Sequence, residues 1–223
     1  MIAILQSYSS MLLGALGKTL LLTLLSLLFA MIIGMIFALM NVGRNRVLNC
    51  IGTIYVDAVR GVPLIVLAYF IYFGVPYCLN NMMGFNFTLT ALQAGTVCLA
   101  LNCGAYMAEI IRAGILSVDP GQMEAARSLG LPYSRAMIRV VLPQAIRTMI
   151  PSIINQFIIT LKDTSILSVI GFPELVNTAK NVVANSFMSF QTWGIVAVMY
   201  LIIITILSKV AKIVERRLNR GRK

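Results

Sequence analysis

Five long apolar segments dominate the sequence and restrict the folds that are open to it. The segments cover approximately residues 12–40, 54–79, 89–111, 149–170 and 190–211. Each reaches the roughly 20 residues that an α-helix needs to cross about 30 Å of hydrocarbon. Inside a bilayer every backbone polar group needs an internal partner, which a helix supplies. The sequence therefore predicts an all-α integral membrane protein, with five transmembrane helices in a single domain over residues 1–223.

The distribution of charge supports this class and predicts an orientation. Only 11% of the residues are charged, against about 25% in soluble proteins, and the net charge is +11. The cations gather in loop 41–53, which contains Arg44 and Arg46, in loop 112–148 and in the C-terminal tail. Because loops rich in Lys and Arg remain cytoplasmic, we expect the N-terminus outside and the C-terminus in the cytoplasm. The sequence has no basic groove interleaved with aromatic residues, so nucleic acid is not an expected partner.

The polar loop 112–148 contains the signals of one short helix. Asp119 is a favourable N-cap, Pro120 suits the first helical position, and Gln122 occupies the third, as in a capping box. Gly130 supplies the left-handed residue that commonly ends a helix. These signals predict a cytoplasmic helix of roughly ten residues, about 15 Å long.

One face of this short helix is suited to docking. Met123, Ala126 and Leu129 share a face at helical spacing. The small Ala125 and Ala126 would let a partner approach the backbone closely. A helix of this length is not stable alone in water, so other parts of the chain or a partner should hold it. It is either a docking element for another protein or an amphipathic connector on the membrane surface.

The same loop resembles a signature of the permease subunits of bacterial ABC importers, EAA---G---------I-LP. The chain has Glu124-Ala125-Ala126, then Gly130, then Leu142-Pro143, with Val140 at the isoleucine position. The resemblance implies that the short helix is a coupling helix, which sits in a groove of a cytoplasmic ATPase subunit. Its expected coupling residues are Glu124, Ala125, Ala126, Leu129 and Gly130.

Four further stretches resemble the polar amino acid branch of the same importer family. They are residues 55–63 (YVDAVRGVP), 72–76 (YFGVP), 102–109 (NCGAYMAE) and 162–166 (KDTSI). The chain departs from the usual pattern at Val62, Ala68 and Ile166. The resemblance implies import of a polar amino acid across the bacterial cytoplasmic membrane. The importer would contain two permease subunits, identical or homologous, two ATPase subunits and an extracytoplasmic solute-binding protein. ATP and Mg²⁺ would bind to the ATPase, and this chain would need no cofactor of its own.

Polar side chains in or beside the apolar segments are the candidates for a translocation path. They are Arg60, Gln93, Asn102, Lys162, Asp163, Thr164 and Ser165. A charge at the bilayer centre costs roughly 2.5–3.5 kcal/mol on the insertion scale, so Lys162 and Asp163 should face protein or water. They either line the path or brace neighbouring helices, and the same two interpretations hold for Gln93 and Asn102.

Two charged residues have simpler interpretations. Arg60 is expected to flank the cytoplasmic side of the second segment and to pair with Asp57 at i, i+3, which is the alternative to a place in the path. Glu174 precedes the fifth segment, and it is expected to be a solvated charge or else an external contact for a substrate-delivering protein.

Catalytic and metal chemistry find little support in the sequence. The chain has no histidine and no Cys-x-x-Cys pair among its four cysteines, so neither a metal site nor an enzyme is expected. Gly17-Lys18-Thr19 imitates the end of a phosphate-binding loop, but Leu12 stands where that loop needs its first glycine. One alternative function is an ion-gradient-driven secondary amino acid transporter, for which internal repeats would be expected. The others are a passive membrane scaffold and an intramembrane enzyme that uses Asp163, Glu109 or Cys103.

Overall fold

The computed structural model describes residues 2–43 and 45–219, and nearly all of them are helical. The α-helices are α1 (Ile2–Val42), α2 (Arg46–Gly61), α3 (Leu64–Tyr69), α4 (Val75–Met83), α5 (Ala91–Leu116), α6 (Pro120–Ser128), α7 (Tyr133–Ala136), α8 (Leu142–Asp163), α9 (Leu175–Ser186) and α10 (Ser189–Asn219). Two π-helical turns, Phe70–Gly74 and Met137–Val141, and a 3₁₀-helix, Thr164–Ile170, continue the chain between some of them. Arg44 and residues 220–223, which contribute to the predicted charge distribution, lie outside the described residues.

Five helical segments of the described chain are long and apolar enough to cross a membrane. They are Ile4–Val42, Leu64–Met83, Ala91–Leu116, Tyr133–Ile170 and Ser189–Arg217. The prediction of an all-α protein with five membrane-spanning helices is therefore confirmed.

The second span differs from the predicted segment 54–79 because a proline divides that segment. Residues 54–61 belong to α2, and the span starts at Leu64 after a break at Val62 and Pro63. Pro63 has no backbone N–H, and its ring disfavours helical conformation in the residue before it. Val62 is accordingly extended, with φ −98° and ψ 131°.

The fourth span begins at Tyr133 instead of residue 149, so the predicted loop 112–148 is mostly helical. Pro143 is accommodated in the first turn of α8, directly after the π-helical turn Met137–Val141. A π-helical turn changes the backbone hydrogen-bond register locally, which allows the helix to continue past a residue that lacks a donor. The segment between the third and fourth spans is therefore short and consists mainly of α6.

Helices α1 and α5 form the closest helix pair of the bundle and run parallel to each other. Gly34 of α1 lies against α5, where a Cβ at Gly34 would be 2.5 Å from Met107 Cβ. Towards the ends of this pair, Leu22 contacts the region of Gly95, and Ala38 shares a buried cluster with Ile111. Small residues at these positions allow the two backbones to approach.

The two short helices α6 and α9 lie at opposite ends of the bundle. Leu175 and Val182 of α9 pack with Leu12, near the start of α1, and with Ile195 of α10. At the other end, Met123 of α6 packs on the cluster formed by the ends of α1 and α5 and the start of the fourth span. The end of the bundle that carries α6 is called the α6 end below, and its cytoplasmic location stays a prediction.

Candidate functional site

Both ends of α6 have the predicted backbone signals. Asp119 Oδ1 accepts a hydrogen bond from Gly121 N–H at 2.8 Å, which caps the N-terminus. Gly130 is left-handed, with φ +85°. The N–H groups of Gly130 and Leu131 donate to the carbonyls of Arg127 and Ala126 at 3.0 and 3.2 Å, which is the Schellman arrangement. Local sequence signals therefore determine where this helix starts and stops.

Two details of α6 differ from the prediction. Gln122 does not complete a capping box, and its side-chain oxygen accepts instead from Gln144 Nε2 at 3.3 Å. Leu129 does not share the buried face of Met123 and Ala126, and its side chain is 86% exposed. The reason is that Leu129 is the C-cap, where the backbone leaves the helix before Gly130.

The outward face of α6 presents three predicted coupling residues to the surroundings. Glu124, Ala125 and Leu129 are all exposed, whereas Ala126 is buried against the bundle. The exposed leucine and the small alanine lie one helical turn apart, so a partner could contact the leucine side chain and approach the helix backbone at the alanine. This face is called the α6 docking face.

A cavity of about 530 Å³ lies where the second span begins, beside the middle of α5, and is called the central cavity. It is bounded by the break between α2 and α3, by the middle of α5 and by the end of α8. Its polar lining residues are Arg60, Asn102, Tyr106, Gln156 and Asp163. Irregular backbone at membrane depth is tolerated where it lines such a cavity, and broken helices of this kind form the solute sites of many transporters.

Arg60 lies in the central cavity and does not form the expected pair with Asp57. Its guanidinium carbon is 5.1 Å from the centre of the Tyr106 ring, which is a cation–π contact. Within the described residues, the one salt bridge joins Glu109 and Arg112, at 2.6 Å. The pairing prediction was wrong because the Arg60 side chain extends from the last turn of α2 to α5, where it contacts the Tyr106 ring.

Only Asp163 of the polar run at the end of α8 reaches the central cavity. Lys162 is exposed on another side of the helix. Thr164 and Ser165 donate their hydroxyl groups to the carbonyls of Leu161 and Lys162, both at 2.7 Å. They therefore satisfy backbone acceptors where the α-helix changes into the 3₁₀-helix.

The two amide side chains named from the sequence have different positions. Asn102 is buried and lines the central cavity. Gln93 is exposed at the start of α5, where its side-chain oxygen accepts from Thr90 N–H at 3.0 Å and completes a capping box. The central cavity thus unites Arg60, Asn102 and Asp163 and leaves out the other four candidates.

Sequence reasoning missed Tyr106 and Gln156 as lining residues. Tyr106 follows Asn102 at i, i+4, and Gln156 precedes Asp163 by two helical turns. Those spacings place each pair on one face of its helix, so helical periodicity alone could have indicated them.

Glu174 is buried, contrary to both expectations for it. Its relative exposure is 0%, and it caps α9: its two carboxyl oxygens accept from the N–H groups of Val176 and Asn177 at 2.7 and 2.6 Å. Tyr200 of α10 donates its hydroxyl to the same carboxyl group at 3.4 Å. Burial raises the pKa of Glu174 to about 7, and the hydrogen bonds and Lys180 oppose that rise. Glu174 therefore holds α9 within the bundle and makes no external contact.

Comparison with known proteins identifies the family. Residues 30–221 match the family described as the binding-protein-dependent transport system inner membrane component. A probable glutamine ABC transporter permease of Bacillus subtilis is 37% identical over 220 residues, which cover 99% of each chain. An L-cystine transport system permease of the same species is 39% identical over 216 residues, 96% of this chain and 89% of the relative. The glutamine transport system permease of Escherichia coli K12 is 36% identical over 201 residues, 90% of each chain.

Solved structures have the same architecture. A crystal structure described as an amino acid ABC transporter with histidines matches with a TM-score of 0.89 and 37% identity, over 97% of each chain. The methionine ABC transporter in an inward-facing conformation matches with a TM-score of 0.76 and 20% identity, over 95% of this chain and 97% of the other, which shows a shared fold. These matches confirm the predicted resemblance to amino acid permeases of ABC importers. The chain therefore belongs to the family of binding-protein-dependent transport system inner membrane components, and it is a multi-pass inner-membrane permease subunit of the ABC transporter class.

Proposed function

We propose that the chain forms the membrane path of an ATP-driven importer for a polar amino acid. The observation that carries this proposal is the central cavity, where a guanidinium, a carboxylate and two amides converge at a helix break. An α-amino acid presents one carboxylate and one ammonium group. Arg60 is suited to bind the carboxylate by charge-assisted hydrogen bonds, and Asp163 is suited to bind the ammonium. Asn102 and Gln156 offer neutral donors and acceptors to a polar side chain.

The permease relatives support this class of substrate. They are named as glutamine and cystine transport proteins, and both solutes are polar amino acids. The family description supports delivery of the solute by an extracytoplasmic binding protein. The importer would contain a second permease subunit, identical or homologous, in addition to the ATPase subunits.

The α6 docking face is the proposed contact with the ATPase. ATP and Mg²⁺ would bind to that partner, and this chain would hydrolyse nothing itself. Closure of the ATPase pair would push on Ala125 and Leu129 and displace α6. Because Met123 and Ala126 are packed on the ends of the spans, the displacement would reach the bundle around the central cavity.

Co-purification tests the coupling part of the proposal. We expect an ATPase subunit to co-purify with the wild-type chain from its native membrane. The Ala125→Arg variant should still insert into the membrane but should no longer co-purify with the ATPase subunit. Ala184→Arg is the matched control, because Ala184 is also an exposed alanine on a short helix but lies in α9, at the opposite end of the bundle. Retention of the ATPase by Ala125→Arg would contradict the role of α6.

Uptake into proteoliposomes tests the path. The reconstituted complex should accumulate one or more of L-glutamine, L-cystine, L-arginine and L-glutamate when ATP is supplied. Asp163→Asn should raise the KM for that amino acid and leave ATPase co-purification unchanged, because the substitution removes the ammonium ligand and is far from α6. An unchanged KM would remove Asp163 from the path.

A further inference from the structure

A second cavity, of about 360 Å³, lies between the central cavity and the α6 end and is called the lower cavity. It is open on one side and is bordered by the end of α1, by the polar face of α2 and by the last turns of α5. Its walls include Asn41, Thr53 and Asp57. The opposite face of α2 is apolar and exposed, with Ile51 and Ile54 at 49% and 62%. The polar face of α2 is therefore turned away from lipid and towards this cavity.

Arg60 lines both cavities and therefore lies at the boundary between them. Its contact with the Tyr106 ring holds the guanidinium on the side of the central cavity. A long, flexible arginine side chain can rotate between the two cavities without movement of the helix that carries it. A solute that leaves the central cavity towards the α6 end must pass this residue.

Two of the four charged groups of the lower cavity form a salt bridge, and the other two, Asp57 and Arg60, are exposed. Glu109 and Arg112 bind each other through two hydrogen bonds, at 2.6 and 3.0 Å. Neither Asp57 nor Arg60 takes part in a salt bridge within residues 2–43 and 45–219. The two lie at i, i+3 on α2, so their side chains project from one face.

An unpaired polar atom lies close to this charged pair. The side-chain oxygen of Asn41 is buried and has no hydrogen-bond partner. This oxygen packs against Gly52 of α2, where an added Cβ would overlap it, so it belongs to the close packing of α1 on α2 and does not face the cavity. The lower cavity thus offers the carboxylate of Asp57 and the guanidinium of Arg60 to an incoming solute.

We propose that the lower cavity is a second binding station for the transported amino acid, on its way out of the central cavity. The proposal rests on the proposed function. The solute binds as a zwitterion, with its carboxylate on Arg60 in both cavities and its ammonium group transferred from Asp163 to Asp57. Arg60 thereby carries the carboxylate across the boundary while it rotates, so neither charge of the solute is left unpaired inside the protein.

Substrate protection of an introduced cysteine tests the station directly. Thr53→Cys is placed in a Cys50→Ser/Cys78→Ser background, because Cys50 and Cys78 are exposed, whereas Cys98 and Cys103 are buried. The complete complex is reconstituted, and the probe solute is whichever amino acid of the panel it accumulates. We expect a charged, water-soluble thiol reagent to label Thr53→Cys, and saturating probe solute to slow that labelling about tenfold.

The matched control is Ile54→Cys, one residue further along α2 on the apolar face. Its labelling should not respond to the probe solute. Failure of the solute to protect Thr53→Cys, or equal protection at both positions, would overturn the second station. If the complex accumulates no amino acid of the panel, the proposed function fails instead, so the two failures are distinguishable.

Kinetics of uptake give an independent test. Asp57→Asn should lower the maximal uptake rate about tenfold without raising KM, because the solute enters through the central cavity, and Asp57→Glu should restore part of the rate. Asp163→Asn should raise KM instead. ATPase co-purification shows that each variant has assembled, and an Asp57→Asn complex that assembles and transports at the normal rate would overturn the proposal.

Discussion

Glu174→Gln is expected to change how the stability of the protein depends on pH. Glu174 is buried, and its pKa is raised from the ordinary 4.5 to about 7, mainly by burial. Between these two values the folded chain binds more protons than the unfolded chain. Stability is therefore greatest below pH 4.5, falls as the pH rises, and levels off above about 7.

The size of this effect follows from the same pKa values. The rise from 4.5 to about 7 corresponds to about 3 kcal/mol of stability lost between acid and neutral pH. Glutamine is neutral like the protonated carboxyl group and does not titrate, but its NH₂ group cannot accept a hydrogen bond, so one of the two N–H groups of α9 loses its side-chain acceptor at every pH. Between pH 4 and pH 8 the stability of the wild type should therefore fall by about 3 kcal/mol relative to that of the variant, whatever their difference is at pH 4.

Thermal unfolding in detergent, followed by circular dichroism, measures the difference. For a chain of this size, about 3 kcal/mol corresponds to a change of roughly 6–12 °C, in favour of the variant, in the difference between the two midpoints from pH 4 to pH 8. Glu124→Gln, at an exposed glutamate of α6, is the control and should leave the midpoint unchanged. If the difference between the two midpoints does not change with pH, or changes in favour of the wild type, the N–H donors of α9 stabilise the carboxylate at least as much as burial destabilises it, and the reasoning is refuted.

Two further substitutions test helix packing and the end of α6. Gly34→Ala should lower the unfolding midpoint, because its Cβ would lie 2.5 Å from Met107 Cβ and overpacking costs about 1–3 kcal/mol. Gly14→Ala, which has open space around it, should not lower the midpoint, and equal effects would exclude close packing as the cause. Gly130→Ala should cost about 1–2 kcal/mol, because φ at Gly130 is +85°. Gly130→Asn should lower the free energy of unfolding by less than Gly130→Ala. Thermal unfolding and ATPase co-purification compare the two variants. Equal losses would show that the left-handed conformation is not the constraint.

The break before Pro63 is central to both proposals. Without it, α2 and α3 would form one helix, and Arg60 would have no irregular backbone beside it. The extended Val62 turns the chain so that Arg60 reaches Tyr106 on α5. The restriction that proline imposes on the preceding residue thus creates the boundary between the central and lower cavities.

The sequence by itself determined the membrane class, the number of spans and the limits of α6. These features depend on local properties: the length of apolar runs, the N-cap at Asp119 and the left-handed Gly130. A hydrocarbon layer selects helices by length and polarity, and a cap acts within a single helical turn. Neither property requires knowledge of distant residues.

Only the tertiary structure decided which polar side chains meet. Arg60 contacts Tyr106 instead of Asp57, Lys162 faces away from the central cavity, and Glu174 is enclosed by α1, α9 and α10. Helical periodicity fixes the face of a residue on its own helix, but the neighbour of that face depends on the rotation and depth of other helices. Those are set by close packing over the whole bundle, as at Gly34, so no single segment of the sequence contains them.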